Sequence, residues 1–95
     1  MFFLKIAGTI PRNKQTEFEQ TIRYVYSQIP ATCENYMLSK DFDQQDAYQF
    51  ISYWRIRHDM EDFAHSSAYL MIKGAFQTLG RIFEDKSGVI MDLTN

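Results

Sequence analysis

His65 and Trp54 are the residues of this sequence best suited to act on a small molecule. A histidine imidazole titrates near neutral pH, so His65 can serve as a general base towards a phenol or a quinol. The indole of Trp54 offers a large apolar surface and one N–H donor that could orient a bound aromatic oxygen. The alternatives are a solvent-exposed helix surface for His65 and core packing for Trp54. We take both as candidate catalytic residues.

Four further aromatic residues are candidates for substrate binding. Tyr36 and Tyr69 could donate hydroxyl hydrogen bonds, and Phe50 and Phe63 could form the wall of the same pocket. Tyr69 lies four positions after His65, so one continuous helix would place both on one face. A helix break at the following serines would separate them.

Other kinds of site have little support in the sequence. His58 and His65 lack a cysteine at metal-ligand spacing, so we expect no metal. Gly8 stands alone after an apolar run, which is not the glycine-rich loop of nucleotide and flavin sites, and we expect no cofactor. The formal net charge of −2 provides no basic surplus for phosphates. We therefore expect neither nucleic acid nor membrane as a partner.

The length of 95 residues predicts a single domain over residues 1–95. The sequence has one cysteine, Cys33, which cannot form an internal disulfide, and its N-terminal residues lack the pattern of a signal peptide. No run approaches the roughly 18 apolar residues that a membrane-spanning helix needs. We therefore expect a cytoplasmic protein.

Hydrophobic periodicity predicts four strands and two helical regions. Pro11 ends the first strand and Pro30 follows the first helix, since proline interrupts both kinds of element. Ser66 and Ser67 suggest a break in the second helical region. The predicted strands cover residues 2–10, 32–40, 47–55 and 89–94, with a turn at 85–88, and the helical regions cover 13–28 and 59–79.

This order, βαββαβ, predicts an α+β fold of the ferredoxin-like type with a four-stranded antiparallel sheet and both helical regions on one face. The third strand carries Phe50 and Trp54 on one side and Ile51 and Tyr53 on the other, so both faces of the sheet are expected to be apolar. An uncovered apolar face is unfavourable in water. We therefore expect a homodimer through the open sheet face.

One segment resembles a known family. The residues Ile51-Ser-Tyr-Trp54, the helical run Met60-Glu-Asp-Phe-Ala-His65, and then Tyr69 and Leu70 resemble the antibiotic biosynthesis monooxygenases. In that family a strand ends in tryptophan and a histidine commonly follows eleven positions later, as His65 follows Trp54 here. The resemblance implies a dimeric α+β barrel with a small-molecule pocket in each protomer. Its members include cofactor-independent oxygenases of quinol-like aromatics, haem-degrading enzymes and isomerases.

The sequence departs from the pattern of particular branches. Phe50 and Met60 stand where the polyketide-oxidising branch has asparagine and tyrosine. Phe63 and Lys73 stand where the haem-degrading branch has tryptophan and histidine, and the first strand contains no asparagine. Haem degradation is therefore disfavoured.

The sequence leaves three functions open. The leading hypothesis is a cofactor-independent monooxygenase that oxidises a small aromatic or quinol-like molecule in a pocket between sheet and helices. The second is a non-catalytic binding or stress-response dimer, which the mismatches at Phe50 and Met60 favour. The third is an isomerase or decarboxylating enzyme of a small keto compound, with Arg55 or Lys73 binding a carboxylate.

Overall fold

The computed structural model describes residues 1–94 as one sheet with helices packed on it. The strands are β1 (Phe2–Thr9), β2 (Cys33–Lys40), β3 (Ala47–Trp54) and β4 (Arg81–Val89), and the helices are α1 (Gln15–Tyr26), α2 (Arg57–Ala64) and α3 (Ser67–Leu79). A 3₁₀ turn, Arg12–Lys14, precedes α1. The expected α+β, ferredoxin-like class is confirmed, and the helical region predicted over 59–79 is two helices.

All neighbouring strands in the sheet are antiparallel, in the order β2-β3-β1-β4. The central strands β1 and β3 pair along their whole length, from Phe2 opposite Trp54 to Thr9 opposite Ala47. Since residues opposite each other in an antiparallel pair lie on the same face, this register places the even-numbered residues of both strands on one side.

The even-numbered face of β1 and β3 carries the core. The helices pack against it, so that Phe18 of α1 contacts the rings of Tyr48 and Phe76 at 4.9 and 4.7 Å between centroids. The buried residues Phe18, Ile22 and Val25 of α1 recur at three- and four-residue steps, because one side of the helix faces the core. The side chains with no more than 1% exposure are Ile6, Ile10, Phe18, Ile22, Val25, Phe50, Ser52, Trp54, Ile72 and Phe76. The space between sheet and helices is therefore filled by packed side chains of residues 1–94.

The odd-numbered face of the sheet, which we call the open face, carries both apolar and charged groups. Ile51 and Tyr53 are half-buried there, and Met37 is 42% exposed. Lys5 at the middle of β1 forms an ion pair with Glu84 of β4 at 2.7 Å. Both sheet faces thus carry apolar side chains, as expected, but the open face also holds the charges of Lys5 and Glu84.

The last strand differs from the prediction. A strand was expected at 89–94 after a turn at 85–88, whereas β4 runs over Arg81–Val89 and residues 90–94 follow it without regular structure. The residues 85–88 that suggested a turn pair with β1, from Phe3 opposite Gly88 to Ile6 opposite Asp85. An edge strand tolerates such polar residues because its side chains reach water or form ion pairs.

Two glycines permit the close approach of β1 and β4. A Cβ atom at Gly8 would lie 2.2 Å from the carbonyl oxygen of Arg81, and one at Gly80 would lie 1.9 Å from that of Thr9. No larger residue fits at either position without moving backbone. The register between the strands shifts at Ala7 and Gly8, and Phe83, which lies in β4 at this shift, is 61% exposed.

The longest of the described helices, α3, has 13 residues, and none is long and apolar enough to cross a membrane.

Candidate functional site

Three of the predicted site residues, Trp54, Phe63 and Tyr69, form a series of contacting rings, which we call the aromatic column. The centroids of Trp54 and Phe63 lie 5.0 Å apart, and those of Phe63 and Tyr69 lie 5.6 Å apart at an interplanar angle of 66°. Such tilted and edge-on contacts between rings are favourable beyond the area that they bury. The column joins β3 to α2 and α3, so it couples the end of the sheet to both helices.

Trp54 lies at the inner end of the column with no exposed surface. Its indole N–H donates a hydrogen bond to Ser52 Oγ at 2.9 Å, and Ser52 Oγ donates to the carbonyl oxygen of Leu4 at 3.4 Å. The N–H that was expected to orient a ligand oxygen is therefore satisfied inside the protein. The Trp54 ring thus contacts Phe63 from inside the core.

Tyr69 ends the column on the other side. Its hydroxyl donates a hydrogen bond to Asp85 of β4 at 2.8 Å, and Lys73 forms an ion pair with the same carboxylate at 3.0 Å. Burial is the main cause that raises the pKa of Tyr69 well above its ordinary value, and the neighbouring Asp85 carboxylate raises it further. The hydroxyl remains neutral at physiological pH and fastens α3 to β4.

An open cleft of about 420 Å³ lies beside the aromatic column. It runs between α2 and the segment that joins α1 to β2, and we call it the α2 cleft. Phe63, the middle ring of the column, forms part of its wall. The lining residues are Gln28, Pro30, Thr32, Asp59, Asp62, Phe63 and Ser66. The volume falls within the range of small-molecule sites.

Ser66 lines the α2 cleft at the junction of α2 and α3. Its Oγ donates a hydrogen bond to the carbonyl oxygen of Phe63 at 2.6 Å and accepts one from the Tyr69 N–H at 3.2 Å. It thereby caps α3 and ends α2, as serine does at a helix start. The predicted break at Ser66 and Ser67 is confirmed, and it holds Phe63 and Tyr69 in contact.

The charge in the α2 cleft comes from two carboxylates. Asp59 and Asp62 stand three positions apart on α2, which brings both to one side of the helix. Asp62 lies 3.4 Å from His58, whereas no hydrogen-bond or ion-pair partner for the Asp59 side chain occurs among residues 1–94. Neither aspartate is among the residues predicted for the site from the sequence. Their three-residue spacing was the signal that could have identified them.

His65 is exposed at the end of α2, directly before Ser66. Its Nδ1 lies 2.8 Å from the carbonyl oxygen of Glu61. A carbonyl oxygen only accepts, so Nδ1 carries the proton and Nε2 is the basic nitrogen of the neutral ring. The break between α2 and α3 leaves His65 exposed and Tyr69 buried, so the two do not share a helix face.

The other two predicted binding residues, Phe50 and Tyr36, belong to a separate aromatic group. Tyr26 of α1 lies 4.9 Å from Tyr36 and 6.3 Å from Phe50 between ring centroids. Phe50 is fully buried and Tyr36 is partly buried. Neither residue lines the α2 cleft.

The cations considered for carboxylate binding are paired elsewhere. Arg55 lies 2.9 Å from Glu34, and Lys73 pairs with Asp85. Neither residue lines the α2 cleft. Across residues 1–94, no group of three or more histidine, cysteine, aspartate or glutamate side chains is placed to hold a metal ion.

No model of a known protein family and no curated protein matches the sequence. Solved structures do match the fold. A "putative antibiotic biosynthesis monooxygenase" from Deinococcus radiodurans superposes with a TM-score of 0.74 at 13% identity, covering 100% of both chains. A protein of the same description from Nitrosomonas europaea gives 0.75 at 13% identity, covering 99% of this chain and 100% of that one. A conserved protein from Methanosarcina mazei Go1 gives 0.76 at 10% identity, covering 92% and 87%.

These similarities show that the chain has the fold of proteins described as antibiotic biosynthesis monooxygenases. The resemblance drawn from the segment around Trp54 and His65 is thus confirmed at the level of the fold. At these identities the similarity shows the fold and carries no residue roles.

Proposed function

We propose that this protein is a cofactor-independent monooxygenase that acts on a small electron-rich aromatic molecule held in the α2 cleft. The observation that carries the proposal is the α2 cleft itself, in which the ring of Phe63 stands beside the oxygen acceptors of Asp59 and Asp62. An aromatic ring with a hydroxyl group fits such a combination of apolar wall and acceptors. The shared fold supports the choice of reaction class.

The reaction would use the electrons of the substrate. A quinol-like or anthrone-like substrate loses a proton, and the resulting anion transfers electrons to molecular oxygen. For a reacting CH₂ group, one oxygen atom becomes the carbonyl of the product and the other leaves as water with the two hydrogens. The protein must take the proton, orient the ring and exclude bulk water.

His65 is the proposed base. With the Nδ1 proton held by the Glu61 carbonyl, Nε2 is the nitrogen that would take the substrate proton. His65 precedes Ser66, which lines the α2 cleft. Trp54 and Tyr69 are proposed to act by keeping Phe63 in place, and the roles expected of Tyr36 and Phe50 remain proposals that no contact with the α2 cleft supports.

Oxygen uptake by metal-stripped protein tests this proposal. A panel of naphthoquinols and anthrones is compared for the wild type, His65→Ala, Trp54→Phe and the control Gln77→Ala, a change at an exposed position of α3. We expect uptake above the spontaneous rate in the wild type and the control. His65→Ala should lose about a hundredfold in rate, the scale of general base catalysis, and recover partly with added imidazole.

Two outcomes would contradict the proposal. No uptake above the spontaneous rate across the panel would reject the oxygenase. Full activity in His65→Ala would leave an oxygenase but remove His65 from its mechanism. Circular dichroism of each variant confirms that the fold is retained.

A second candidate, a non-catalytic small-molecule-binding or stress-response dimer, is favoured by one observation. The polar atoms of Trp54 and Tyr69 are both satisfied within the protein, by Ser52 and Asp85. Binding of aromatic molecules without oxygen uptake would support this candidate. The isomerase hypothesis loses support because Arg55 and Lys73 are paired away from the α2 cleft.

We further propose that a second copy of the chain covers the open face, which would complete the dimeric α+β barrel. Half-buried Ile51 and Tyr53 lie there together with exposed Met37 and Phe83. A two-fold axis allows one such surface to cover its own copy.

A further inference from the structure

We propose that the α2 cleft takes an aromatic molecule carrying a positively charged nitrogen, with Asp59 as the counter-ion. The inference rests on the proposed function, because it names the substrate class of the same cleft. It depends on the juxtaposition of a half-buried, unpaired carboxylate with the apolar wall that Phe63 and Pro30 form.

The lining of the α2 cleft carries charge of one sign. Asp59 and Asp62 are its charged residues, and its other polar members are uncharged. A ligand carboxylate would face repulsion from both aspartates and would find no lysine or arginine in the lining. A ligand ammonium group would be attracted by the same carboxylates.

Cations outside the lining do not cancel this charge. Arg57, at the start of α2, does not line the α2 cleft and pairs with Glu61 at 2.9 Å. His58 lies 3.4 Å from Asp62, an ion-pair contact that Asp59 does not share. Asp59 has no such partner among the described residues, and it is less exposed than Asp62. Asp59 is therefore the residue expected to determine the sign of the ligand charge.

The uncharged groups of the α2 cleft do not favour an anion either. The Ser66 hydroxyl already donates to the Phe63 carbonyl, so its proton is not available to a ligand. Gln28 and Thr32 are exposed, and water competes for their donors. Asp59 and Phe63 stand four positions apart on α2, which places carboxylate and ring next to each other. A ring with a short cationic arm matches this arrangement.

Calorimetric titration with three ligands of similar size tests the inference. The ligands are tyramine, neutral 4-ethylphenol and 3-(4-hydroxyphenyl)propanoate, each titrated into the wild type, Asp59→Asn and the control Asp43→Asn. Asp43 is exposed in the β2–β3 turn, so this control makes the same chemical change away from the α2 cleft. Fluorescence of Trp54, the single tryptophan, places the ligand, since its ring is 5.0 Å from that of Phe63.

We expect tyramine to bind the wild type and Asp43→Asn about tenfold more tightly than the propanoate, the scale of attraction plus repulsion between partly solvent-exposed charges. In Asp59→Asn this ratio should fall to about threefold or less. Equal affinities in the wild type, or an unchanged ratio in Asp59→Asn, would overturn the inference.

The failure of the inference can be distinguished from the failure of the proposed function. Binding of 4-ethylphenol without discrimination by charge would overturn the inference and leave an aromatic site. Tighter binding of tyramine than of the propanoate would support the inference. If the protein then showed no oxygen uptake with any cationic phenol or quinol, the oxygenase proposal would be contradicted. No binding of any of the three ligands would overturn the inference, whereas the oxygenase proposal is decided by oxygen uptake.

Discussion

The two faces of the sheet differ in how their apolar groups are covered. On the helix face, Phe50 and Trp54 have no exposed surface, and the one polar side chain buried between them, Ser52, is fully hydrogen-bonded. On the open face, Ile51 and Tyr53 alternate with these residues along the same strand and are only half-buried. Neighbouring residues of β3 thus experience different environments.

The helix face determines the stability of the single chain, whereas the open face, in the proposed dimer, determines how the chain associates. Burial on the helix face is complete within one chain, so it stabilises that chain whatever its concentration. The apolar groups of the open face gain most of their burial only if another surface covers them. Substitutions on the two faces should therefore differ in their dependence on protein concentration.

The largest difference is expected between Phe50→Ala and Ile51→Ala. Phe50→Ala leaves a cavity in the core and should lower the free energy of unfolding by roughly 3–5 kcal/mol. Ile51→Ala should cost about 1 kcal/mol or less in the isolated chain, because its side chain is already partly in water. Urea unfolding at low protein concentration measures both. Equal losses would show that the two faces do not differ in this way.

The second largest effect is expected from Ile51→Lys, which should weaken the association of two chains. A lysine in the middle of the open face is expected to weaken the proposed dimer by at least about a hundredfold, since a charge is costly in a buried interface. Sedimentation equilibrium measures the effect. Leu70→Lys is the matched control, because Leu70 is 58% exposed on α3. A wild type that remains monomeric at all concentrations would refute the dimer.

Tyr69→Phe tests the fastening of α3 to β4 on the helix face. Loss of the hydrogen bond to Asp85 should cost about 1 kcal/mol at neutral pH. The pKa of Tyr69 is raised above its ordinary value of 10.0, so its stabilising effect is present below about pH 10 and is lost as the pH rises further. The stability difference between wild type and Tyr69→Phe should therefore shrink above pH 10.

Urea titrations between neutral pH and pH 11 measure this difference. Tyr24→Phe is the control, because Tyr24 is 58% exposed on α1. Tyr48 also has a raised pKa, through burial and the nearby Glu19 carboxylate, but it is present in all three proteins and cancels in the comparison. A difference that stays constant up to pH 11 would contradict the assigned role of the Tyr69 hydroxyl.

Glu84→Gln should have the smallest effect in the isolated chain. Hydrogen bonds from Lys5 and Lys86 lower the pKa of Glu84, so its contribution is present above its ordinary pKa of 4.5 and is lost as the pH falls. Thermal unfolding at pH 7 and pH 3 measures it, with Glu17→Gln as control. In a dimer that covers the open face, the change at pH 7 should increase with protein concentration. A loss of stability in Glu84→Gln larger than that in Tyr69→Phe would contradict the expected order of effects.

Most of the fold could be predicted from hydrophobic spacing, because the core elements bury one regular side each. The first three strands, α1 and the break at Ser66 lie within a few residues of their predicted positions. The last strand could not be predicted in this way. Its Glu84 and Asp85 are satisfied by Lys5, Tyr69 and Lys73, which are distant in sequence.

The candidate site was predicted only in part. Trp54, Phe63 and Tyr69 contact one another, because large apolar rings on adjoining elements tend to meet, but of the three only Phe63 lines the α2 cleft. Asp59 and Asp62 were missed, since acidic residues at a helix start are usually explained by the helix dipole and by surface pairs. Their placement in a cleft depends on the course of residues 27–32, which no local pattern specifies.

The two edge strands of the sheet also affect how the protein behaves at high concentration. Unpaired strand edges can recruit further chains into fibrils, and charged side chains and bulges oppose this growth. Glu34 and Lys40 are exposed on the β2 edge, and Asp85 and Lys86 on the β4 edge, which also carries the irregularity near Gly8. The chain is thus protected against edge-to-edge aggregation on both sides of the sheet, independently of what covers its faces.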